Sequence, residues 1–210
     1  MSVTVAEIEV ADAADTWAHA GFTIDADALC PIWSVGVRLA GRDRGAGIVG
    51  WSLRGLPVDG PTADLDGIPT TSSAVAEPVP ATHPNGVTVI DHVVLLSPDL
   101  DRTVASLAGI GAQPRRERDC ELGGRPIRQI FFRFGEVVVE VVGSPGIADE
   151  GPSTLWGITY VVDDIDATAA FFGDRTSPVK DAVQPGPRIT TLRHRDLDIT
   201  VRTAFISARR

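Results

Sequence analysis

His92 and Glu140 are the side chains of this sequence whose types and positions point most directly to chemistry. His92 lies in an apolar stretch at residues 90–101, and Glu140 lies among valines at residues 134–142. An imidazole and a carboxylate can each exchange a proton with a substrate, and each can bind a divalent transition metal. A functional site at His92 and Glu140 requires strands or helices that bring the two side chains together, and further side chains that surround them.

An imperfect repeat of about 65 residues supplies such elements. Residues 90–101 and residues 155–166 each contain an apolar strand that runs into an Asp-x-Asp sequence suited to begin a short helix. His92 of the first copy is replaced by Gly157 in the second. A duplicated unit predicts a pseudo-symmetric site between the copies, and this difference predicts that the site has lost half of its symmetry.

Each copy is predicted to follow the order βαβββ, with turns at its glycines. The first unit, residues 87–143, has a strand at 87–96, a helix at 101–109 and strands near 114–120, 127–134 and 136–142. The second unit, residues 155–207, has a strand at 156–162, a helix ending near Phe172 and strands near 178–182, 188–194 and 197–206. Asp99 or Asp101 would cap the first helix, and Asp164 or Asp166 the second.

The segment before the repeat divides into two parts. Residues 57–86 contain six prolines and are otherwise rich in Gly, Ser, Thr and Asp. They are predicted to be an extended surface linker, because such a stretch cannot sustain a helix or an interior strand. Residues 1–56 show strand-like and helix-like patterns, so they form either a partial, worn copy of the βαβββ unit or an unrelated cap over the repeated half.

The composition limits the partners. A formal net charge of −9 argues against nucleic acid or an anionic membrane. Hydrophobic residues make up 43% of the chain, but their runs have strand length, and the N-terminus lacks the pattern of a signal peptide. We therefore expect a cytoplasmic protein. The two cysteines, Cys30 and Cys120, are expected to be buried or half-buried free thiols.

Paired βαβββ units with a histidine on the first strand of a unit and a glutamate on its last resemble the vicinal-oxygen-chelate superfamily. That superfamily includes glyoxalase I, extradiol dioxygenases, methylmalonyl-CoA epimerase, and bleomycin and fosfomycin resistance proteins. The resemblance is carried by Ile90-Asp91-His92-Val93-Val94, by Asp99-Leu100-Asp101 and by the stretch from Phe134 to Val142. It covers residues 87–207 well and residues 1–56 weakly.

This resemblance implies an α+β fold in which the two βαβββ modules pair into a cupped, mixed β-sheet with helices outside. Residues 1–56 would add a partial unit of the same kind, which could pair with its counterpart in a second chain and make a homodimer. Substrate and metal would bind inside the cup. Because the fold hosts many activities, the resemblance does not specify a reaction.

Side-chain alternation predicts which residues face the cup. The valines at 137, 139 and 141 and the apolar residues at 130, 132 and 134 should pack on the helices, and Leu197, Ile199 and Val201 should pack inward in the second unit. The residues predicted to face the cup are Glu140, Gln129, Phe131, Arg133 and, at the position equivalent to Glu140, Arg202.

Three further residues are candidates for ligand binding. Arg193 shares the inward register with Arg133, so the two could clamp an anionic ligand. Lys180 could offer an ammonium group to a carboxylate or enolate, and Trp156 could line the mouth of the cup. The alternative for the arginines and Lys180 is a solvated or salt-bridged surface position, and for Trp156 it is packing.

The resemblance also implies a divalent metal, Zn, Fe, Ni, Co or Mn, held by His or Glu side chains from both units. His92 and Glu140 match the positions in the first unit and are predicted as catalytic residues and metal ligands. The second unit offers Gly157 and Arg202, which cannot bind a metal, and His194 falls in the packing register.

Two interpretations follow for the site. One is a metal-dependent lyase, isomerase or dioxygenase. The other is a metal-free cup in which Glu140 pairs with Arg202 and which sequesters a small molecule, as bleomycin resistance proteins do. The incomplete set of metal ligands favours the second interpretation or an unusual enzyme.

Overall fold

Fourteen strands and three α-helices make up residues 2–57 and 64–208, the parts of the chain that this computed structural model describes. The strands are β1 (Thr4–Val10), β2 (Leu29–Ile32), β3 (Val35–Leu39), β4 (Ile48–Arg54), β5 (Asp64–Leu65), β6 (Ile68–Ser72), β7 (Val87–Leu96), β8 (Pro114–Leu122), β9 (Arg125–Phe134), β10 (Val137–Gly143), β11 (Thr154–Val162), β12 (Lys180–Asp181), β13 (Arg188–Thr191) and β14 (Arg202–Ser207). The helices are α1 (Ala14–His19), α2 (Leu100–Gly109) and α3 (Ile165–Phe172). Among these residues no helix is long and apolar enough to cross a membrane.

The two repeated units form one eight-stranded sheet with the order β12-β13-β14-β11-β7-β10-β9-β8. In each unit the last strand lies parallel to the first, β10 beside β7 and β14 beside β11. The two first strands, β7 and β11, pair antiparallel at the centre of the sheet. Each unit therefore supplies half of a mixed sheet about a pseudo-twofold axis, and the predicted α+β fold with paired βαβββ modules is confirmed.

The aspartates that precede both helices act as predicted, and the structure decides which of each pair is the cap. Asp99 accepts the backbone N–H of Arg102 at 3.1 Å, and Asp164 accepts the backbone N–H of Asp166 at 2.9 Å. The second aspartate of each Asp-x-Asp sequence lies in the first helical turn, where the helix dipole favours a negative charge.

The N-terminal sheet is a reduced form of the same topology. Its order is β2-β3-β1-β4-β6-β5. Strand β1 lies parallel to β3, β4 lies parallel to β6, and β1 and β4 pair antiparallel at the centre. Each half thus has a first strand followed by a hairpin that returns parallel to it, with one strand fewer than a full unit. The N-terminal sheet therefore contains two reduced units, and it extends to Ser72, beyond the predicted boundary at residue 56.

The proline-rich segment differs from its prediction. The expectation that residues 57–86 hold no interior strand is wrong, because β6 lies between β4 and β5. Pro69 is the one proline in that strand, and its neighbour β5 is two residues long, so few ladder hydrogen bonds are lost. Residues 73–86 contain no helix or strand, as predicted, and residues 58–63 of the predicted linker lie outside the described residues.

The two sheets pack face to face. Trp51 of β4 stacks on Phe134 of β9 with ring centroids 5.8 Å apart, and Phe22 packs on Tyr160 of β11 at 5.5 Å. The predicted packing face of β10, the valines at 137, 139 and 141, is buried as expected. This face was predicted to pack on the helices. In the structure the N-terminal sheet covers the central strands of the eight-stranded sheet, and the helices cover its flanks. The opposite face of the eight-stranded sheet is the cup.

Two buried carboxylates join the N-terminal sheet to the repeated units. Asp12, fully buried after β1, accepts hydrogen bonds from the indole N–H of Trp17 at 3.1 Å and from the hydroxyl and backbone N–H of Thr200 at 2.7 and 3.1 Å. Asp66, in the turn between β5 and β6, accepts from Arg102 and Ser153, each at 2.6 Å. Each carboxylate anchors one end of the N-terminal sheet to a different unit.

Replacing Asp12 tests whether its carboxylate anchors the N-terminal sheet. Asp12→Asn places an amide N–H₂ against groups that all donate, so we expect the free energy of unfolding to fall by about 2–4 kcal/mol. Urea unfolding followed by tryptophan fluorescence measures it. The matched control is Asp43→Asn, an exposed position, which should change little. Equal urea midpoints for the two variants would show that Asp12 is not an anchor.

His83 holds the extended segment onto the N-terminal unit. Its ring is buried, Nδ1 accepts the backbone N–H of Thr23 at 3.0 Å, and Nε2 lies 3.2 Å from the carbonyl oxygen of Pro31. This arrangement requires a neutral ring with its proton on Nε2. Burial lowers the pKa of His83 below its usual 6.5, and the hydrogen bond to Pro31 opposes that shift only in part.

Stability should therefore depend on pH through His83. Because the folded-state pKa is lowered, the unfolded chain takes up the proton first as pH falls, and stability is lost below the unfolded pKa of about 6.5. We expect His83→Gln to lose less stability than the parent protein between about pH 7.5 and about pH 5.5 in urea titrations. The exposed control His19→Gln should keep the parent dependence, and an unchanged slope in His83→Gln would contradict the assignment.

Candidate functional site

A cavity of about 350 Å³ lies in the cup, on the face of the eight-stranded sheet opposite the N-terminal sheet. Strands β7 to β10 of the first unit form one side, and β13, β14 and the loop at residues 182–187 form the other. All of the charged side chains in its lining come from the first unit: Asp91, His92, Arg116, Arg118 and Glu140. The second unit contributes mainly apolar groups, so the cavity is chemically one-sided.

A chain of polar contacts crosses the first unit's half of the cup. Nδ1 of His92 lies 2.7 Å from Oδ2 of Asp91, and Nε2 lies 3.5 Å from Oε2 of Glu140. Gln129 donates from its amide to the other oxygen of Glu140 and accepts from the guanidinium of Arg118. A neutral imidazole donates to one of the two carboxylates at a time, and only the imidazolium donates to both.

Strand register explains why these groups meet. His92 on β7 pairs with Val138 on β10, which places Glu140 two residues further along the same face. Glu140 pairs with Phe131 on β9, and Phe131 pairs with Arg116 on β8. The side chains of one face therefore form neighbouring rows across four strands.

Four of the predicted site residues share the cavity. His92, Gln129, Phe131 and Glu140 all line it, and Glu140 is buried. Their contacts with each other are those described above, while their roles as catalytic, ligand-binding or metal-binding residues stay predictions.

Three predicted cup residues lie elsewhere. Arg133 is exposed near the β9–β10 turn, where it donates to the carbonyl of Gly135 at 2.7 Å. Arg193 is exposed beyond the end of β13 and precedes a 3₁₀ turn at His194–Leu197, so it has no strand register to share with Arg133. Lys180 is exposed on the two-residue edge strand β12. The predicted arginine clamp is therefore wrong.

Arg202 and Trp156 contact each other and not Glu140. The guanidinium of Arg202 lies 4.7 Å from the ring centroid of Trp156, whose side chain is 44% exposed. The predicted pair between Arg202 and Glu140 is wrong, because the strand was expected to begin at residue 197 and begins at residue 202. A 3₁₀ turn and the left-handed Asp198, with φ +56°, occupy the intervening stretch, in which Ile199 and Val201 are nevertheless buried.

The register of β14 shows which residues replace the first unit's polar pair. Gly157 pairs with Arg202 as His92 pairs with Val138, so the residue equivalent to Glu140 is Ala204. A Cβ at Gly157 would lie 2.7 Å from the carbonyl oxygen of Arg202, a distance that real side chains do not show. The backbones of β11 and β14 therefore close the position where the second unit would place a ligand side chain.

Two arginines of the cup were missed by the sequence reasoning. Arg116 lies over the ring of Phe131, 5.7 Å from its centroid, and Arg118 bonds Gln129. A usable signal existed: the hairpin with its turn at Gly123-Gly124 pairs Arg116 with Phe131 and Arg118 with Gln129, and both partners were predicted to face the cup. Counting back from the turn would have identified them.

The residues present do not fit a complete metal centre. His92 and Glu140 could offer one ligand atom each, but Gly157 and Ala204 offer none at the equivalent positions. His194 is engaged through Nδ1 with the carbonyl of Ile199 at 2.7 Å and does not line the cavity. Over residues 2–57 and 64–208, no group of three His, Cys, Asp or Glu side chains is arranged to hold a metal ion. Tight metal sites in proteins use at least three such ligands.

The two thiols also lie where the sequence predicted. Cys30 is buried in the core, where burial raises the pKa of its thiol. Cys120 is half-buried on β8, with its sulfur 3.5 Å from the amide oxygen of Gln129.

Comparison with solved structures identifies the fold. A mutant of 4-hydroxymandelate synthase from Streptomyces coelicolor superposes with a TM-score of 0.68 at 14% identity, over 99% of this chain and 93% of that one. Methylmalonyl-CoA epimerase from Mycobacterium tuberculosis matches with a TM-score of 0.49 at 16% identity, over 62% of this chain and 94% of that one. A methylmalonyl-CoA epimerase from Streptomyces coelicolor has a TM-score of 0.44 at 23% identity, over 58% and 98%.

4-Hydroxymandelate synthase is a member of the vicinal-oxygen-chelate superfamily, and the present chain has the vicinal-oxygen-chelate fold. Searches against family models and against curated proteins found no match.

Adding one methyl group at Gly157 tests whether β11 and β14 approach each other closely at this position. Gly157→Ala should lower the free energy of unfolding by about 1–3 kcal/mol, because the new Cβ meets the backbone of Arg202. The matched control is Gly109→Ala at the end of α2, where a Cβ meets nothing within 4 Å. That variant should be neutral or slightly stabilising. Equal effects of the two changes in urea unfolding would argue that β11 and β14 are further apart.

Proposed function

We propose that this protein binds a small organic molecule inside the cup without a metal. The observation that carries the proposal is that the second unit has no metal-ligating side chain at the two equivalent positions. Gly157 lies against the backbone of Arg202, and Ala204 stands where the first unit has a carboxylate. The retained pair, His92 and Glu140, is tied into contacts with Asp91 and Gln129 and would serve as a hydrogen-bonding group for a ligand.

The shape and lining of the cavity support a ligand of modest size. Its volume of about 350 Å³ is at the lower end of the range for small-molecule pockets in proteins. Phe131 and Val138 of the first unit face Ile189 and Ile206 of the second. Such a cavity gives apolar contact on both sides of a ligand and polar contact on one.

A second candidate is an enzyme that uses acid–base chemistry in the same cup. It is favoured by the position of His92, whose Nδ1 contacts Asp91 while its Nε2 points to Glu140. A base that is oriented by one carboxylate and faces a second acidic group is a common arrangement for proton transfer. In this alternative, His92 or Glu140 exchanges a proton with the bound molecule.

Metal analysis tests the proposal against a metal-dependent lyase, isomerase or dioxygenase. Tag-free protein is incubated with excess Zn²⁺, Mn²⁺, Ni²⁺, Co²⁺ or, under anaerobic conditions, Fe²⁺, desalted, and analysed by mass spectrometry. We expect far less than one equivalent of each metal, with no difference between the parent protein and His92→Ala.

The control is Glu136→Gln, an exposed carboxylate on the β9–β10 turn outside the cavity. One equivalent of a metal that survives desalting, is lost in His92→Ala and is retained in Glu136→Gln would overturn the metal-free proposal. It would also require a third ligand from outside the positions described here.

A further inference from the structure

Arg116 and Arg118 are the two arginines in the lining of the cavity. Both project from β8 into the cup, and among the described residues neither forms a salt bridge. Other arginines of the fold are paired with carboxylates, among them Arg38 with Glu7, Arg102 with Asp66, Arg128 with Asp119 and Arg188 with Asp166. The pair of Arg128 with Asp119 joins the same two strands, β9 and β8, so acidic partners exist beside the hairpin but do not neutralise the cup arginines.

The donors of Arg118 are only partly used. One terminal nitrogen donates to Gln129, while Nε is buried without a hydrogen-bond partner in the described structure. A buried N–H that lacks a partner is unfavourable and is usually satisfied by water or by a ligand. Arg116 is exposed, its guanidinium lies over the face of Phe131, and among the described residues it forms no salt bridge. Two guanidiniums with free donors therefore border one side of the cavity.

The apolar part of the cavity lining would contact the part of a ligand that lies away from the arginines. Phe131, with Val138 and Ile206, offers an apolar surface next to the arginines. Gln129 separates Arg118 from Glu140 by contacting both, so the positive charge on β8 is not neutralised by direct contact with the acidic group on β10. The cavity thus has a cationic edge on β8, an apolar middle, and the carboxylates of Asp91 and Glu140 on β7 and β10.

We infer that the cup selects small organic anions, with a carboxylate or similar acidic group bound by Arg116 and Arg118 and an apolar, preferably aromatic, body lying on Phe131. Guanidinium groups bind carboxylates through paired, charge-assisted hydrogen bonds, which neutral or cationic head groups cannot form. This inference rests on the proposed function, since it names the class of ligand for the same cup.

Three probes that share a phenyl body and differ in head group test the inference. Phenylacetate is an anion, 2-phenylethanol is neutral and 2-phenylethylamine is a cation at neutral pH. Each is titrated into ¹⁵N-labelled full-length protein in metal-free buffer, and amide and arginine Nε–Hε resonances are followed by NMR. We expect phenylacetate to bind on the order of tenfold more tightly than the other two and to shift the Nε–Hε signal of Arg118.

Single substitutions test how much each arginine contributes to phenylacetate binding. Arg116→Gln and Arg118→Gln should each weaken phenylacetate binding on the order of tenfold and leave 2-phenylethanol unchanged. Arg116 is exposed, so its variant should fold even if that of Arg118 does not. The matched control is Arg115→Gln, the adjacent exposed residue outside the cavity lining, which should bind phenylacetate as the parent protein does.

The outcomes distinguish the inference from the proposed function. Equal affinities for the three probes, a preference for the amine, or full phenylacetate binding in Arg116→Gln would overturn the selection of anions while leaving a metal-free binding cup. Shifts confined to residues outside the cup would also overturn it. Failure of all three probes to perturb any cup resonance would overturn both, whereas binding only after addition of a divalent metal would overturn the metal-free proposal.

Discussion

Face-to-face packing of two sheets is the constraint on which the remainder of the structure depends. The strands β7 and β11 at the centre of the eight-stranded sheet have one face buried against the N-terminal sheet, through the contacts of β11 with β4 and of β7 with β2. A sheet that buries one face completely has only its other face to offer a ligand. The alternation of side chains along β10 then separates the buried valines from Glu140, and the cup cavity forms on the face that remains.

Two similar units form the cup, and the cup is chemically one-sided. Both units keep the same strand order and the same N-cap aspartate before the helix, because these features stabilise each unit separately. In the second unit the glycine at position 157 lets β14 approach β11 closely, and this packing takes the place of a polar group. The first unit alone keeps charges in the cup.

The ionisable side chains of the cup lie in two groups. Asp91, His92 and Glu140 form one group on β7 and β10, and Arg116 and Arg118 form the other on β8. Gln129 lies between the groups and can contact both, because an amide is at once a donor and an acceptor. Such an arrangement keeps opposite charges within one small cavity available to a ligand, and it depends on the register of the β8–β9 hairpin as much as on residue types.

The local features of this protein follow from its sequence, because they depend on neighbours in the chain. The βαβββ order, the helix caps, the buried valine face and the inward direction of Gln129, Phe131 and Glu140 come from periodicity and capping chemistry that act over a few residues. The loss of polar groups in the second unit is likewise visible in Gly157 itself.

Other features were decided only by the tertiary structure, because they depend on contacts between distant segments. Strand β6 forms within a proline-rich stretch because β4 offers it a parallel edge and Asp66 anchors the adjoining turn. A 3₁₀ turn precedes β14, so the strand starts later than its sequence predicts. Arg202 therefore lies on Trp156. Ala204 pairs with Thr159, as Glu140 pairs with Val94 in the first unit. The strand begins five residues later than predicted, and the position equivalent to Glu140 moves by two residues, from Arg202 to Ala204.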